Sequence, residues 1–226
     1  MKGARVEEIV LYHVPQARSF RVLWFLHEAA LPHRVEAMSF AGKSLRSPEF
    51  LSVSPAGRVP ALRMGDQTLF ESGAILELLA ETRAPQFTRA PGHPERAAHL
   101  EWLHYGETIG QHLAQLTQQH IVLREDWMRS PTVMKLEAMR LARVLAGMAG
   151  VLDQQDWLLR SGFSIADIAC GYGVVLAARF VPDANLPSAV LRYRDRLTAR
   201  AGYIAALAAD GPPEIYTRPV YEAPDG

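Results

Sequence analysis

Val59-Pro60-Ala61-Leu62-Arg63-Met64 and Gln67-Thr68-Leu69-Phe70, separated by Gly65-Asp66, are the residues on which the fold class turns. Two short apolar runs around a Gly-containing pair signal a β-hairpin, because glycine takes the positive φ of tight turns without steric cost. Directly after it, residues 72–82 carry Ile75, Leu76, Leu78 and Leu79 on helical spacing. Toward the N-terminus, residues 9–14 read as a strand closed by Pro15. Residues 19–30 follow as a helix, with Ser19 as N-cap and Leu31-Pro32 as the stop, and residues 34–38 form a second strand. A strand, helix and strand in about thirty residues imply a parallel pair, since only a crossover reverses the chain twice. Residues 41–54 are irregular, apart from one helical turn at 48–51. The order β-α-β-loop-β-β-α is the thioredoxin-like arrangement, an α/β domain over residues 1–84.

Strand signals vanish further on. Residues 83–94 hold Pro85, Pro91, Gly92 and Pro94 and read as a linker. Residues 94–120, 132–153, 164–180 and 187–209 read as helices, so residues 94–226 form an all-α domain. Residues 211–226 carry four prolines and read as an extended tail. Of the 226 residues, 49% are hydrophobic and 21% charged, which suits a folded protein and excludes a disordered one. Lys plus Arg (24) balances Asp plus Glu (24), so no global field points to nucleic acid or an anionic membrane. Cys170 is the single cysteine, so no disulfide closes within the protein. The opening residues Met1 to Glu8 hold acids where a leader peptide needs an apolar run, and no run nears the roughly 18 residues of a membrane span. A cytoplasmic location is expected.

Four segments resemble one family, the glutathione transferases. Pro55-Ala56-Gly57-Arg58-Val59-Pro60-Ala61-Leu62 resembles the family's loop before the third strand, and Phe70-Glu71-Ser72-Gly73-Ala74-Ile75 its Glu-Ser site at the next helix. Residues 12–24, from Tyr12 to Trp24, are similar to the opening of a fungal and bacterial branch, and Phe163-Ser164-Ile165-Ala166-Asp167-Ile168 to a helix start in the C-terminal domain. Ser164 with Asp167 is itself a structural capping box. The resemblance implies a cis bond at Val59-Pro60, which costs little only before proline. It leaves the Val59 backbone to pair with the cysteinyl part of glutathione. Ser72 opens a helix, where unpaired N–H groups and the dipole receive a carboxylate, and Glu71 beside it suits an ammonium group. Arg46 and Arg58, with Lys43, are implied partners of the glycyl carboxylate.

The resemblance further implies that the glutathione thiol reacts as its thiolate with a hydrophobic, electrophilic small molecule. A free thiol titrates near 8.5, and lowering that by two units takes about 2.7 kcal/mol. One hydrogen bond to a charged group supplies about 1.5–3 kcal/mol. The branches that use serine or cysteine place it between Gln16 and Arg18, where this sequence has neither. Ser19 and Tyr12 are the two candidate hydroxyls, with Arg18 as electrostatic helper. A protein thiol is ruled out, since Cys170 lies far along the sequence on an apolar helix. Residues 94–120 carry His99, His104, His112 and His120, yet no carboxylate or cysteine completes a metal-ligand set. Tyr105, Thr108, Gln111 and His112 are implied at the second-substrate pocket. A homodimer is implied as well. The alternative is a glutathione-binding or interaction module of the same fold without turnover.

Overall fold

The structure, a computed structural model, describes residues 8–224. Residues 1–7, which carried most of the expectation about a leader, lie outside it. The elements run β1 (Ile9–His13), α1 (Ser19–Glu28), β2 (His33–Ala37), α2 (Pro48–Val53), β3 (Ala61–Met64), β4 (Gln67–Phe70) and α3 (Ser72–Arg83). Then come α4 (Arg96–Thr117), α5 (Pro131–Ala146), α6 (Ala149–Leu152), α7 (Ile165–Ala177), α8 (Ser188–Thr198) and α9 (Ala201–Ala209). They form two compact units. The first runs through Ala84 and is joined by Ala201–Glu214; the second is Pro85–Arg200 with the residues from Ile215 onward.

In the first unit the sheet order is β2-β1-β3-β4, with β1 parallel to β2 and both other pairs antiparallel. The sequence-derived β-α-β crossover and hairpin are both present. β1 lies inside the sheet, and Val10 and Leu11 are buried there. Eight residues of α1, Ser19 to Leu26, are buried, so this helix is enclosed all round rather than along one stripe. One cover is α9: Tyr203 meets Phe20 and Trp24 edge-on at 5.5 and 5.0 Å. At Gly202 a Cβ would stand 2.5 Å from Glu28 Cδ, so the helices approach closely. The single helix expected over 187–209 is therefore two. The helix breaks at Ala199-Arg200, and residues 201–214, counted above with the helical part, pack with the first unit.

In the second unit α4 and α7 meet through glycine. A Cβ on Gly106 would lie 2.9 Å from both atoms of the Ala169 carbonyl, and one on Gly173 2.5 Å from Ile109 Cγ2. Asp167, fully buried, caps α7 and accepts from the N–H groups of Leu158 (2.9 Å) and Ser164 (2.8 Å) and the Tyr193 hydroxyl (3.0 Å). Burial still pushes its carboxyl up to about 6, against those donors. The helix expected over 132–153 breaks at Gly147 into α5 and α6. The tail is irregular as expected and is pinned by aromatic contacts of Tyr216 and Tyr221 with Phe180. Among the described residues no helix is long and apolar enough to cross a membrane.

Candidate functional site

Strand register brings the three N-terminal motifs to one end of the sheet. Tyr12 on β1 pairs with Ala61 on β3, and Ala61 pairs with Phe70 on β4. Neighbouring strands lie about 4.8 Å apart, so Val59-Pro60, Glu71-Ser72 and Tyr12 fall within the span of a tripeptide. The Val59-Pro60 bond is cis. Val59 is half-buried, and its backbone N–H and C=O find no partner among the described residues. Its loop is held from behind, where the Ser54 hydroxyl donates to the Arg58 carbonyl at 2.8 Å. Gly57, at φ 60°, leaves room that a Cβ would take from Leu45 O (2.8 Å) and the Arg46 guanidinium (3.3 Å). Arg46 thereby stands beside the loop that carries Arg58, and both are exposed. Lys43 is exposed as well, in a left-handed conformation at φ 57°.

Glu71 is exposed and has φ 73° and ψ 117°, a conformation that costs a non-glycine residue about 1–3 kcal/mol. Such strain gathers where function requires it. Ser72 opens α3 and is nearly buried, and its hydroxyl accepts a 3.1 Å bond from Arg21 Nη1. Arg21 is buried in the first turn of α1, so a guanidinium stands behind the point expected to receive a carboxylate. Its place in the apolar run Phe20-Arg21-Val22-Leu23-Trp24 was the sequence signal for this partner, and helical spacing alone did not interpret it.

The Ser19 hydroxyl is engaged by the backbone before α1. Ser19 is fully buried, and its hydroxyl exchanges 3.3 Å bonds with the Val14 backbone, donating to the carbonyl and accepting from the N–H. It is not the N-cap: Arg18 occupies that position, half-buried and without a side-chain cap bond, and no acid stands in the first turn. Tyr12 is half-buried, its ring 5.6 Å from Phe50 of α2. His13 points to the opposite face, as alternation requires. There it meets Asp210, a partner 197 residues away that no spacing could announce.

The helix expected over 94–120 ends at Thr117, with His120 in a π-helical turn beyond it, and the four histidines do not gather. His99 meets Thr88 Oγ1 at 3.3 Å, His112 Nδ1 meets Glu137 at 2.7 Å, His120 lies against Phe180, and His104 is exposed. Among the described residues no group of three His, Cys, Asp or Glu side chains could hold a metal. Of the residues implied at a second-substrate pocket, Thr108 and Gln111 are exposed, while Tyr105 donates to the Val144 carbonyl at 2.8 Å and His112 is buried. A separate apolar hollow of about 400 Å³ in the helical unit is lined by Met139, Ala142, Phe180 and Val181 among others. Cys170 is buried, its thiol donating to the Trp102 carbonyl at 3.1 Å.

Residues 7–81 match the family model of the glutathione S-transferase N-terminal domain. The disulfide-bond oxidoreductase YfcG of Escherichia coli (strain K12) is 32% identical over 216 residues, covering 88% of this chain and 94% of that protein. Among solved structures, a glutathione transferase family member from Pseudomonas fluorescens, with two glutathione bound, is 27% identical at a TM-score of 0.79, covering 91% of this chain and 95% of that one. The glutathione transferase URE2P8 of Phanerochaete chrysosporium, with oxidized glutathione, shares the fold at a TM-score of 0.82 and 21% identity, covering 92% and 97% of the two chains. With both halves of the fold, the matching N-terminal model and a relative of this identity over nearly its whole length, the chain belongs to the glutathione S-transferase superfamily.

Proposed function

We propose that this protein binds glutathione on its first unit and uses the tripeptide's own thiol, ionised in place, as the nucleophile. The observation that carries this is the register Tyr12–Ala61–Phe70, which sets a backbone with free hydrogen-bonding capacity at Val59 beside the strained Glu71 and the buried Ser72. In this assignment Val59 pairs with the cysteinyl backbone, and Ser72 with the N–H groups of α3 takes the γ-glutamyl carboxylate. Glu71 takes the ammonium, and Arg46 and Arg58 the glycyl carboxylate. With the Ser19 hydroxyl bound to Val14, Tyr12 is the hydroxyl assigned to the thiolate and Arg18 its electrostatic helper. Attack on an electrophilic carbon forms an S–C bond, and the leaving group departs with its bonding pair. The helical part from residue 94 supplies contacts to that second substrate, and two copies of the protein form a homodimer.

Disulfide exchange is the second reading, favoured by the name of the Escherichia coli relative. The thiolate attacks one sulfur of a disulfide, the S–S bond breaks and the other sulfur leaves as thiolate. A second glutathione thiolate then attacks the glutathione sulfur of the mixed disulfide, whose S–S bond breaks, so that glutathione disulfide forms and the remaining substrate sulfur leaves as thiolate. Cys170 is buried, so both reacting thiols on the reductant side belong to glutathione. The two readings separate by assay with millimolar glutathione against a chlorodinitrobenzene-type acceptor and against hydroxyethyl disulfide. Turnover of the first supports transfer, and of the second exchange. A thermal shift with neither leaves a binding module, and no thermal shift with glutathione defeats the whole assignment. Light scattering tests the dimer, which a monomeric mass would refute.

A further inference from the structure

The turn between β1 and α1 is closed by a residue from the far end of the sequence. Ala17 N–H donates to Val14 O at 3.1 Å, with Pro15 second and Gln16 third at φ 64°. That is the pattern of a type II turn, in which the third place ordinarily belongs to glycine. Gln16 takes it here, and the Asp210 carboxylate accepts its N–H, at 3.2 and 3.1 Å from the two oxygens. The same residue anchors His13: Nε2 lies 3.2 Å from the Asp210 carbonyl and 3.1 Å from Oδ1, so that nitrogen carries the proton. His13 Nδ1 is buried and finds no hydrogen-bond partner among the described residues. Gly211, at φ 95°, seats on Pro15, where a Cβ would come within 3.2 Å of Pro15 Cγ. His13 and Asp210 are both nearly inaccessible to solvent.

We infer that Asp210 is a positioning residue for thiol ionisation. It holds Gln16 in a conformation the residue would otherwise avoid, and so fixes where Gln16 and Arg18 leave the backbone beside the bound thiol. This rests on the glutathione assignment above. Pro15 presets only its own φ.

The test reads the ultraviolet absorbance of the thiolate of bound glutathione against pH, with glutathione affinity measured in parallel by calorimetry. Asp210→Ala is expected to lower the thiolate fraction at neutral pH about tenfold, the loss of one hydrogen bond to a charged group. Affinity falls only by the linked loss of thiolate binding, less than about fivefold. In a Gln16→Gly background, where φ 64° is free of steric cost, the effect of Asp210→Ala shrinks to less than about twofold. Equal thiolate fractions in wild type and Asp210→Ala, or an equal loss in both backgrounds, would make Asp210 a packing residue and overturn the inference. If Asp210→Ala does not fold, Asp210→Asn decides in the same two backgrounds. Its amide oxygen still accepts one bond without the charge, so a partial loss abolished by Gln16→Gly is expected, and an undiminished loss refutes it. A wild type that binds glutathione normally yet shows no thiolate signal defeats the inference alone; one that does not bind defeats the assignment beneath it.

Discussion

The two units handle unusual backbone differently. Among the described residues, all four non-glycine residues with positive φ, Gln16, Ala30, Lys43 and Glu71, lie in the first unit, as does the cis bond at Val59-Pro60. In the helical unit positive φ falls only on glycines, Gly92 and Gly162. There glycine otherwise serves helix packing, at Gly106 and Gly173. In the first unit Gln16, Lys43 and Glu71 follow the strand ends on the side where a ligand is assigned, while Ala30 leads into β2 at the opposite end; the other unit uses small residues to bring regular helices together. Strain persists only where surrounding contacts over-determine it. Ser72 with Arg21, and Gln16 with Asp210, are such contacts.

Four substitutions press on this contrast. The largest effect is expected in the helical unit. Gly106→Ala drives a methyl into the Ala169 backbone, which cannot swing aside, and lowers stability by about 3 kcal/mol in a denaturant melt. A loss below about 0.5 kcal/mol would mean α4 and α7 are not closely fixed. In the first unit, Ser72→Ala removes one acceptor of the buried Arg21 and costs about 2 kcal/mol. It should also weaken glutathione binding at least about tenfold by calorimetry, and intact affinity would remove Ser72 from the site.

The third concerns pH. Burial, with Arg96 and Arg89 nearby, pushes His99 down to about 4. Between 6.5 and that value the unfolded protein takes up a proton that the folded one refuses, so stability present above pH 6.5 is lost as the pH falls. Asp167, raised to about 6, has the opposite sign: its contribution is present below the ordinary carboxyl range and disappears as pH rises through about 6. His99→Asn should therefore spare the protein on the order of 2 kcal/mol of acid destabilisation by about pH 5, seen as a shallower fall of Tm. Parallel Tm curves for variant and wild type would contradict it. The smallest effect belongs to Glu71→Gly. Without a Cβ the strained conformation costs less, and stability should rise by up to about 1 kcal/mol. Glutathione affinity should fall at the same time, since the partner of the ammonium group is gone. A variant both more stable and equally tight would show that the strain at Glu71 has no link to the ligand.

Much of the fold could be read without coordinates because it is written locally. The β-branched and aromatic run closed by Pro15, the hairpin around Gly65-Asp66 and the spacing of Ile75, Leu76 and Leu79 each lie within a few residues, and each element is present. Boundaries moved where capping was misjudged: Ser19 belongs inside α1, its hydroxyl bound to Val14. At the candidate site, the cis bond at Val59-Pro60 and the helix start at Ser72 were legible because backbone geometry demands particular residue types in short order. The fate of Ser19 was not, since burial depends on what packs above it. Nor was the role of Arg21, since its apolar neighbours mark it as buried without naming its partner.

By itself the amino-acid order determined the local states: strand, helix, hairpin, the turn at Pro15 and the cis-prone bond at Pro60, all governed by forces acting within a few bonds. Tertiary structure alone decided the long-range pairs. That α9 leaves the helices it follows and covers α1, and that Asp210 closes a turn nearly two hundred residues earlier, depend on which apolar faces and buried polar groups find one another in space. Such pairing leaves no period in the sequence, because the two partners share no local geometry until the protein is compact.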